Sequence, residues 1–146
     1  MKKIVKLILI IPIFLLIIAC DSNITMKNEY YINEEAKIDD IIIKMTSIKD
    51  TDAVSDKQVL EITFELTNQR KNTITIDADT SFKLYDINKV QIPNVFQNSN
   101  NLIKKDQTII YTLQYETTKK ELYEILFYSG IVENNIKFVI RSSDIK

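Results

Sequence analysis

The segment Leu60-Glu61-Ile62-Thr63-Phe64-Glu65-Leu66-Thr67 alternates apolar and polar residues over eight positions without a break. Successive side chains of a strand point to opposite faces. This period therefore sends Leu60, Ile62, Phe64 and Leu66 into a core and leaves Glu61, Thr63, Glu65 and Thr67 in water. Upstream, the β-branched run Ile41 to Ile48 predicts a strand, and the polar residues Lys49 to Lys57 a loop. Downstream, Asn68 to Asn72 reads as a charged turn. Short strands are then predicted over Thr73 to Ile76, Phe82 to Tyr85 and Lys89 to Ile92. Asp77-Ala78-Asp79 and Asp86-Ile87-Asn88 make turns between them. Pro93 closes the third strand because it has no N–H for a ladder. The amide-rich stretch Asn94 to Asn101 reads as a loop. Ile109, Tyr111, Leu113 and Tyr115 alternate in a long strand, and Ile136, Phe138 and Ile140 in a last one.

Only Thr117 to Gly130 carries two periods. Thr118-Lys119-Lys120-Glu121 has capping-box spacing, which predicts a short helical turn over 118–122. Tyr123, Ile125 and Phe127 then predict a strand ending at the Ser129-Gly130 turn. Seven or eight short strands separated by turn signals describe an all-β antiparallel sandwich.

The first nineteen residues have another purpose. Lys2, Lys3 and Lys6 precede the apolar run Leu7 to Ala19, whose 13 residues fall short of the roughly 20 needed to span a bilayer. A charged start, a short apolar centre and a small residue at the cut make a secretory signal. Ile17 would fit the −3 pocket of an ordinary signal peptidase badly. The sequence Ile17-Ile18-Ala19-Cys20 instead resembles the bacterial lipoprotein lipobox. That resemblance implies cleavage between Ala19 and Cys20, diacylglycerol on the Cys20 thiol and a membrane as the first partner. The expected organisation is a signal peptide over 1–19, a lipidated cysteine and tether over 20–35, and one domain over 36–146. Tyr30, Tyr31 and Ile32 within the tether have the character to dock on the domain instead.

Composition narrows the chemistry. Three of the 19 basic residues and none of the 20 acids precede Cys20, leaving the 127 residues after the cut at −4. That sign and an address outside the cytoplasm argue against nucleic acid. The chain has no histidine, and its one cysteine would be consumed by lipid. Histidine-dependent triads, thiol nucleophiles and His or Cys metal sites are thereby excluded, no disulfide can form, and no cofactor is expected.

Asp50, Asp52 and Asp56 form an acidic loop with oxygen ligands for calcium, but it lacks the glycine and closing glutamate of an EF-hand. Asp77 and Asp79 make a second acidic pair. Arg70-Lys71, Lys104-Lys105 and Lys119-Lys120 fall at turns and would face anionic polymer or lipid if they shared one end. Tyr111 and Tyr115 read as core. Tyr30, Tyr31, Tyr85 and Tyr128 are candidates for a partner surface. Glu61 and Glu65 share an open sheet face with no cleft to shift their pKa values, which removes them as an acid/base pair.

Leu60-Glu61-Ile62-Thr63-Phe64-Glu65-Leu66-Thr67-Asn68 resembles the core strand of the DUF4352 / telokin-like extracellular domains. Ile74-Thr75-Ile76, Phe82 to Asp86, Leu102 to Tyr115 and Tyr123 to Phe127 extend the likeness over about Glu34 to Ile140. The family places glycine in the turn before its return strand, where this chain has Lys104-Lys105-Asp106. The resemblance implies an immunoglobulin-like sandwich on a bacterial lipoprotein, with no catalytic residues to carry over. The expected function is a non-catalytic binding module with an envelope, host or surface protein as partner. A phage- or plasmid-linked surface exclusion factor and a small-ligand or metal carrier are the alternatives.

Overall fold

A computed structural model describes residues 29–51, 57–98, 101–120, 122–130 and 134–146. Eleven strands run through them: β1 (Glu35–Ile38), β2 (Ile41–Asp50), β3 (Lys57–Asn68), β4 (Ile74–Thr75), β5 (Phe82–Asp86), β6 (Gln91–Ile92), β7 (Asn94–Gln97), β8 (Leu102–Ile103), β9 (Thr108–Thr118), β10 (Leu122–Tyr128) and β11 (Asn135–Arg141). One helical turn, α1 (Ala78–Ser81), leads into β5. The larger sheet has the order β1-β2-β3-β9-β7 and the facing one β11-β10-β5-β6, while β4 and β8 form a separate pair. Every strand pair is antiparallel. The all-β sandwich expected from the alternation is the observed fold.

β3 decides the core as its sequence dictates. Leu60, Ile62, Phe64 and Leu66 are fully buried, while Glu61, Thr63, Glu65 and Thr67 lie partly open on the other side. Met45 of β2 is followed by a register shift that lets Ile48, rather than Ser47, turn inward. A bulge inserts one residue, so the apolar row skips a step without leaving the core. Ile109, Tyr111, Leu113 and Tyr115 of β9 complete the inner face, opposite Tyr123, Ile125 and Phe127 of β10 and Ile136, Phe138 and Ile140 of β11.

Three local expectations are corrected. The helical turn over 118–122 does not form among the described residues. Thr118 still pairs with Lys57 at the end of β9, and Leu122 already pairs with Arg141 in β10. The Tyr123 hydroxyl donates to the Thr118 carbonyl at 2.7 Å, tying the two strand ends together. Burial of Tyr123, Ile125 and Phe127 on one face outweighs a cap signal worth about 1 kcal/mol. Second, Asn94 to Asn101 is not all loop. Asn94–Gln97 adds to the open side of β9 as β7, where the Asn98 amide donates to the Ile110 carbonyl at 2.9 Å. Third, Asp77-Ala78-Asp79 is more than a turn, since Asp77 caps α1 by accepting from the Thr80 N–H at 3.0 Å.

With a single glycine in the chain, other residues take most of the left-handed positions. Asp39 and Asp40 have φ of 47° and 58°. They form the two-residue turn between β1 and β2, which needs positive φ at both sites. Asp106 has φ of 60° in the turn where the resembled family has glycine. Short polar side chains tolerate this region best.

Candidate functional site

Cys20 and Ala19 lie outside the described residues, as do Asp52 and Asp56 of the acidic loop. Asp50 ends β2 and accepts from the Gln58 amide at 3.1 Å. Among the described residues no three His, Cys, Asp or Glu side chains gather as metal ligands. Asp77 is spent on the α1 cap. The Glu61 carboxylate accepts from the Gln114 amide at 2.9 Å and sits across from Lys49, while Glu65 sits across from Lys44.

Two of the three basic pairs share one end of the sandwich. Asn68 joins them, since its carbonyl accepts from the Asp106 N–H at 2.7 Å and its side-chain oxygen from the Arg70 N–H at 2.9 Å. Arg70 is committed to carbonyls, donating to Asp39 at 2.7 Å and to Ser129 at 3.2 Å. Lys105 pairs with its neighbour Asp106 at 3.6 Å. Lys119-Lys120 follows β9 at the opposite end.

The N-terminal segment docks at the outer edge of β11. Tyr30 forms a parallel bridge with Phe138, donating to the Lys137 carbonyl and accepting from the Val139 N–H, both at 2.9 Å. The parallel sense means that the chain arrives from the Asn135 end of β11. Glu29 and Lys137 are joined at 2.6 Å. That contact, a hydrogen bond as well as an ion pair, lowers the Glu29 pKa and raises that of Lys137. The Tyr31 ring lies 4.6 Å under the Arg141 guanidinium. Tyr85 and Tyr128 point outward from β5 and β10, with Lys83 over the Tyr128 ring at 5.1 Å. The four tyrosines undetermined from sequence therefore lie on or beside the four-stranded sheet.

Tyr111 and Tyr115 are interior, as expected. The Tyr111 hydroxyl donates to Gln97 Oε1, which also accepts from the Ala78 N–H at 3.0 Å. Burial, followed by the charges of Asp77 and Asp79, pushes Tyr111 up to about 12. Burial, followed by Tyr111, raises Tyr115 as well. Its hydroxyl is buried with no hydrogen-bond partner among the described residues. Replacing Tyr115 by phenylalanine removes an uncompensated polar group at nearly constant volume. The Tyr115→Phe variant is expected to be about 1 kcal/mol more stable than the parent in urea unfolding. The protonated phenols are favoured by the fold, so their contribution to stability is level below pH 10 and falls as pH rises from 10 towards 12. Tyr115→Phe should make that fall shallower, and an equally steep fall would place the titration elsewhere.

Sequence reasoning missed one surface. Six large apolar residues among those described are exposed, and four of them, Ile87 (51 %), Val90 (59 %), Val95 (56 %) and Phe96 (49 %), fall in one ten-residue span. That span runs through β6 into β7, edge strands of the two sheets joined through Pro93 alone. A signal was present in the sequence: no Asp, Glu, Lys or Arg occurs from Val90 to Ile103. These fourteen uncharged residues stand in a chain that is 27% charged.

No family model matches the chain, and no curated protein matches it. Solved structures do. A candidate lipoprotein from Bacillus subtilis, ycdA, superposes with a TM-score of 0.62 at 17% identity over 75% of this chain. The matched part is 39% of ycdA's own length. An uncharacterised β-sandwich protein from Clostridium difficile gives a TM-score of 0.55 at 11% identity, covering 79% of this chain and 95% of that one. The secreted protein MPT63 of Mycobacterium tuberculosis also gives 0.55, at 13% identity, covering 77% and 95%. At these identities the likeness is one of fold. This β-sandwich recurs on a lipoprotein candidate and on a secreted protein.

Proposed function

We propose that the chain is an extracytoplasmic bacterial lipoprotein, held to the membrane by diacylglycerol on Cys20, whose sandwich is a non-catalytic binding module. The observation that carries this reading is the lipobox-like Ile17-Ile18-Ala19-Cys20 behind a charged start and a short apolar run. Two acyl chains hold a protein stably on a bilayer, where one is marginal. The address draws support from the candidate lipoprotein and the secreted protein that share the fold. The strand pattern resembling DUF4352 / telokin-like domains agrees with it. A non-catalytic role is supported by the lack of histidine and of a free thiol. The strongly shifted groups among the described residues are core tyrosines rather than a cleft cluster.

Cys20→Ser tests the anchor in growing cells. Labelling with an alkyne palmitate analogue should vanish, and the protein should leave the membrane fraction. Undiminished labelling, or a cytosolic protein that retains residues 1–19, would overturn the assignment.

A further inference from the structure

Residues 29–31 form a strap that a short hinge joins to the rest of the sandwich. The strap lies along the outer edge of β11 in the four-stranded sheet, while β1 begins at Glu35 in the other sheet. The chain changes sheets through Ile32, Asn33 and Glu34. The Glu34 N–H donates to the Tyr31 carbonyl at 3.1 Å, and the Tyr31 N–H to the Glu34 carboxylate at 2.8 Å, closing the turn. Asn33 is left-handed there, with φ of 67°. Its own N–H donates to the Met45 carbonyl at 2.8 Å, which fastens the chain to β2 from that residue on.

The edge beneath the strap recognises three features in register. Lys137 meets the Glu29 carboxylate at 2.6 Å and is steadied by Glu124 at 3.7 Å. The Lys137 carbonyl and Val139 N–H take the Tyr30 backbone, and the Phe138 ring stands 5.8 Å from the Tyr30 ring. The Arg141 guanidinium covers Tyr31. The edge therefore accepts an extended segment in which an acid precedes two aromatic residues. That order occurs once in the chain, at Glu29-Tyr30-Tyr31.

We propose that two copies of this chain exchange straps, so that residues 29–31 of each lie on β11 of the other. The edge contacts made within one chain are equally available between two, and a reciprocal exchange closes about a two-fold axis. The hinge is what differs. A short turn that holds a residue other than glycine in left-handed backbone favours the opened, exchanged form. The turn bonds lost on opening are remade with water at small net cost. Opposing exchange is the high local concentration of the strap in its own chain, about millimolar for a short link. Exchange is accordingly a property of concentrated protein.

The ion pair itself supplies a test that needs no mutation. Full-length chains grown on ordinary and on heavy nitrogen are mixed equally at about 1 mM, warmed, and treated with a carbodiimide. The reagent activates the Glu29 carboxylate, and the Lys137 amine attacks it to form an amide. Peptide mass spectrometry should find Glu29-to-Lys137 links of mixed isotope, approaching about half of the total as concentration rises. Lys89 and Glu124, paired within one sandwich, are the internal control and should link within a single isotope. Asn33→Gly suits the left-handed hinge and should lower the mixed share at least about threefold. Asn33→Val strains the hinge further and should bring the mixed share to its limit at lower concentration. A mixed share no higher than that of the Lys89-to-Glu124 control would overturn the exchange and leave the strap a cover for its own edge. A share indifferent to both hinge variants would overturn it too. Lipid plays no part in this contact, so the assignment of Cys20 stands or falls separately.

Discussion

Phe82→Ala is expected to cost about 4 kcal/mol of stability, the largest effect of any single substitution considered for this domain. Phe82 opens β5 and is 3 % exposed. Its ring stands 5.0 Å from that of Phe64, 5.7 Å from Tyr111 in a stacked arrangement and 5.0 Å from Phe127. Phe64 and Tyr111 belong to the larger sheet and Phe127 to the smaller, so the ring is wedged where the two layers meet. Truncation loses the transfer energy of the ring and leaves a cavity that two rigid sheets cannot collapse to fill. Folded domains have a total stability of about 5–15 kcal/mol, so the variant would be close to unfolding at 37 °C. Urea unfolding followed by far-UV circular dichroism measures the change. Phe82→Leu, which keeps most of the volume, should cost about 1.5 kcal/mol. A loss for alanine no larger than that for leucine would mean the aromatic cluster does not hold the layers together.

Asn68→Ala comes next, at about 3 kcal/mol. Asn68 is the last inward residue of β3 and is fully buried. Its amide donates to the Asn72 carbonyl at 2.8 Å and the Ile103 carbonyl at 2.9 Å, while its oxygen accepts from the Arg70 N–H. One side chain thus fastens the loop after β3, the β8 strand and, through its own backbone, the turn at Asp106. Alanine leaves two carbonyls and one N–H without partners. A buried polar group stripped of its partner costs about 1–3 kcal/mol. Asn68→Asp is the sharper variant, because it keeps the acceptor for Arg70 but sets a carboxylate against two carbonyl oxygens. It should be at least as damaging as alanine while ionised and milder as pH falls through a pKa that burial and the two facing carbonyls raise above the ordinary carboxylate range, where the protonated acid can donate again. A variant insensitive to pH would argue against this wiring.

Gln58 is the counterpart of Asn68 at the other end of the same inward row. Its amide reaches Asp50, and its oxygen lies 3.1 Å from the Tyr123 hydroxyl. The alternation of β3 ends on a buried amide at both extremities, and each closes one end of the sandwich. Their burial is legible from the period-two pattern, since Gln58 and Asn68 share parity with Leu60 to Leu66. Their partners are not, because those lie as far as 65 residues away.

The candidate sites divide in the same way. The lipobox-like run is a local motif and can be read without a fold. The free edge is not local. Asn94 to Asn101 looks like a loop because amides favour turns, yet Asn94–Gln97 pairs along β9, on the side that no other strand among the described residues occupies. The Thr118 capping signal loses to Tyr123 for a related reason, as a cap competes with a whole buried face.

The amino-acid sequence by itself determined the strands of β3, β9 and β11, the identity of the core side chains, and the absence of histidine from a chain with a single cysteine. Those are properties of alternation and composition, which a chain carries before it folds. Tertiary structure alone decided which strands pair, that Tyr30 covers one sheet edge, and that the opposite edge is left apolar and uncharged. Pairing depends on which backbone groups remain unsatisfied once the other strands are in place, and that is known only when all of them are.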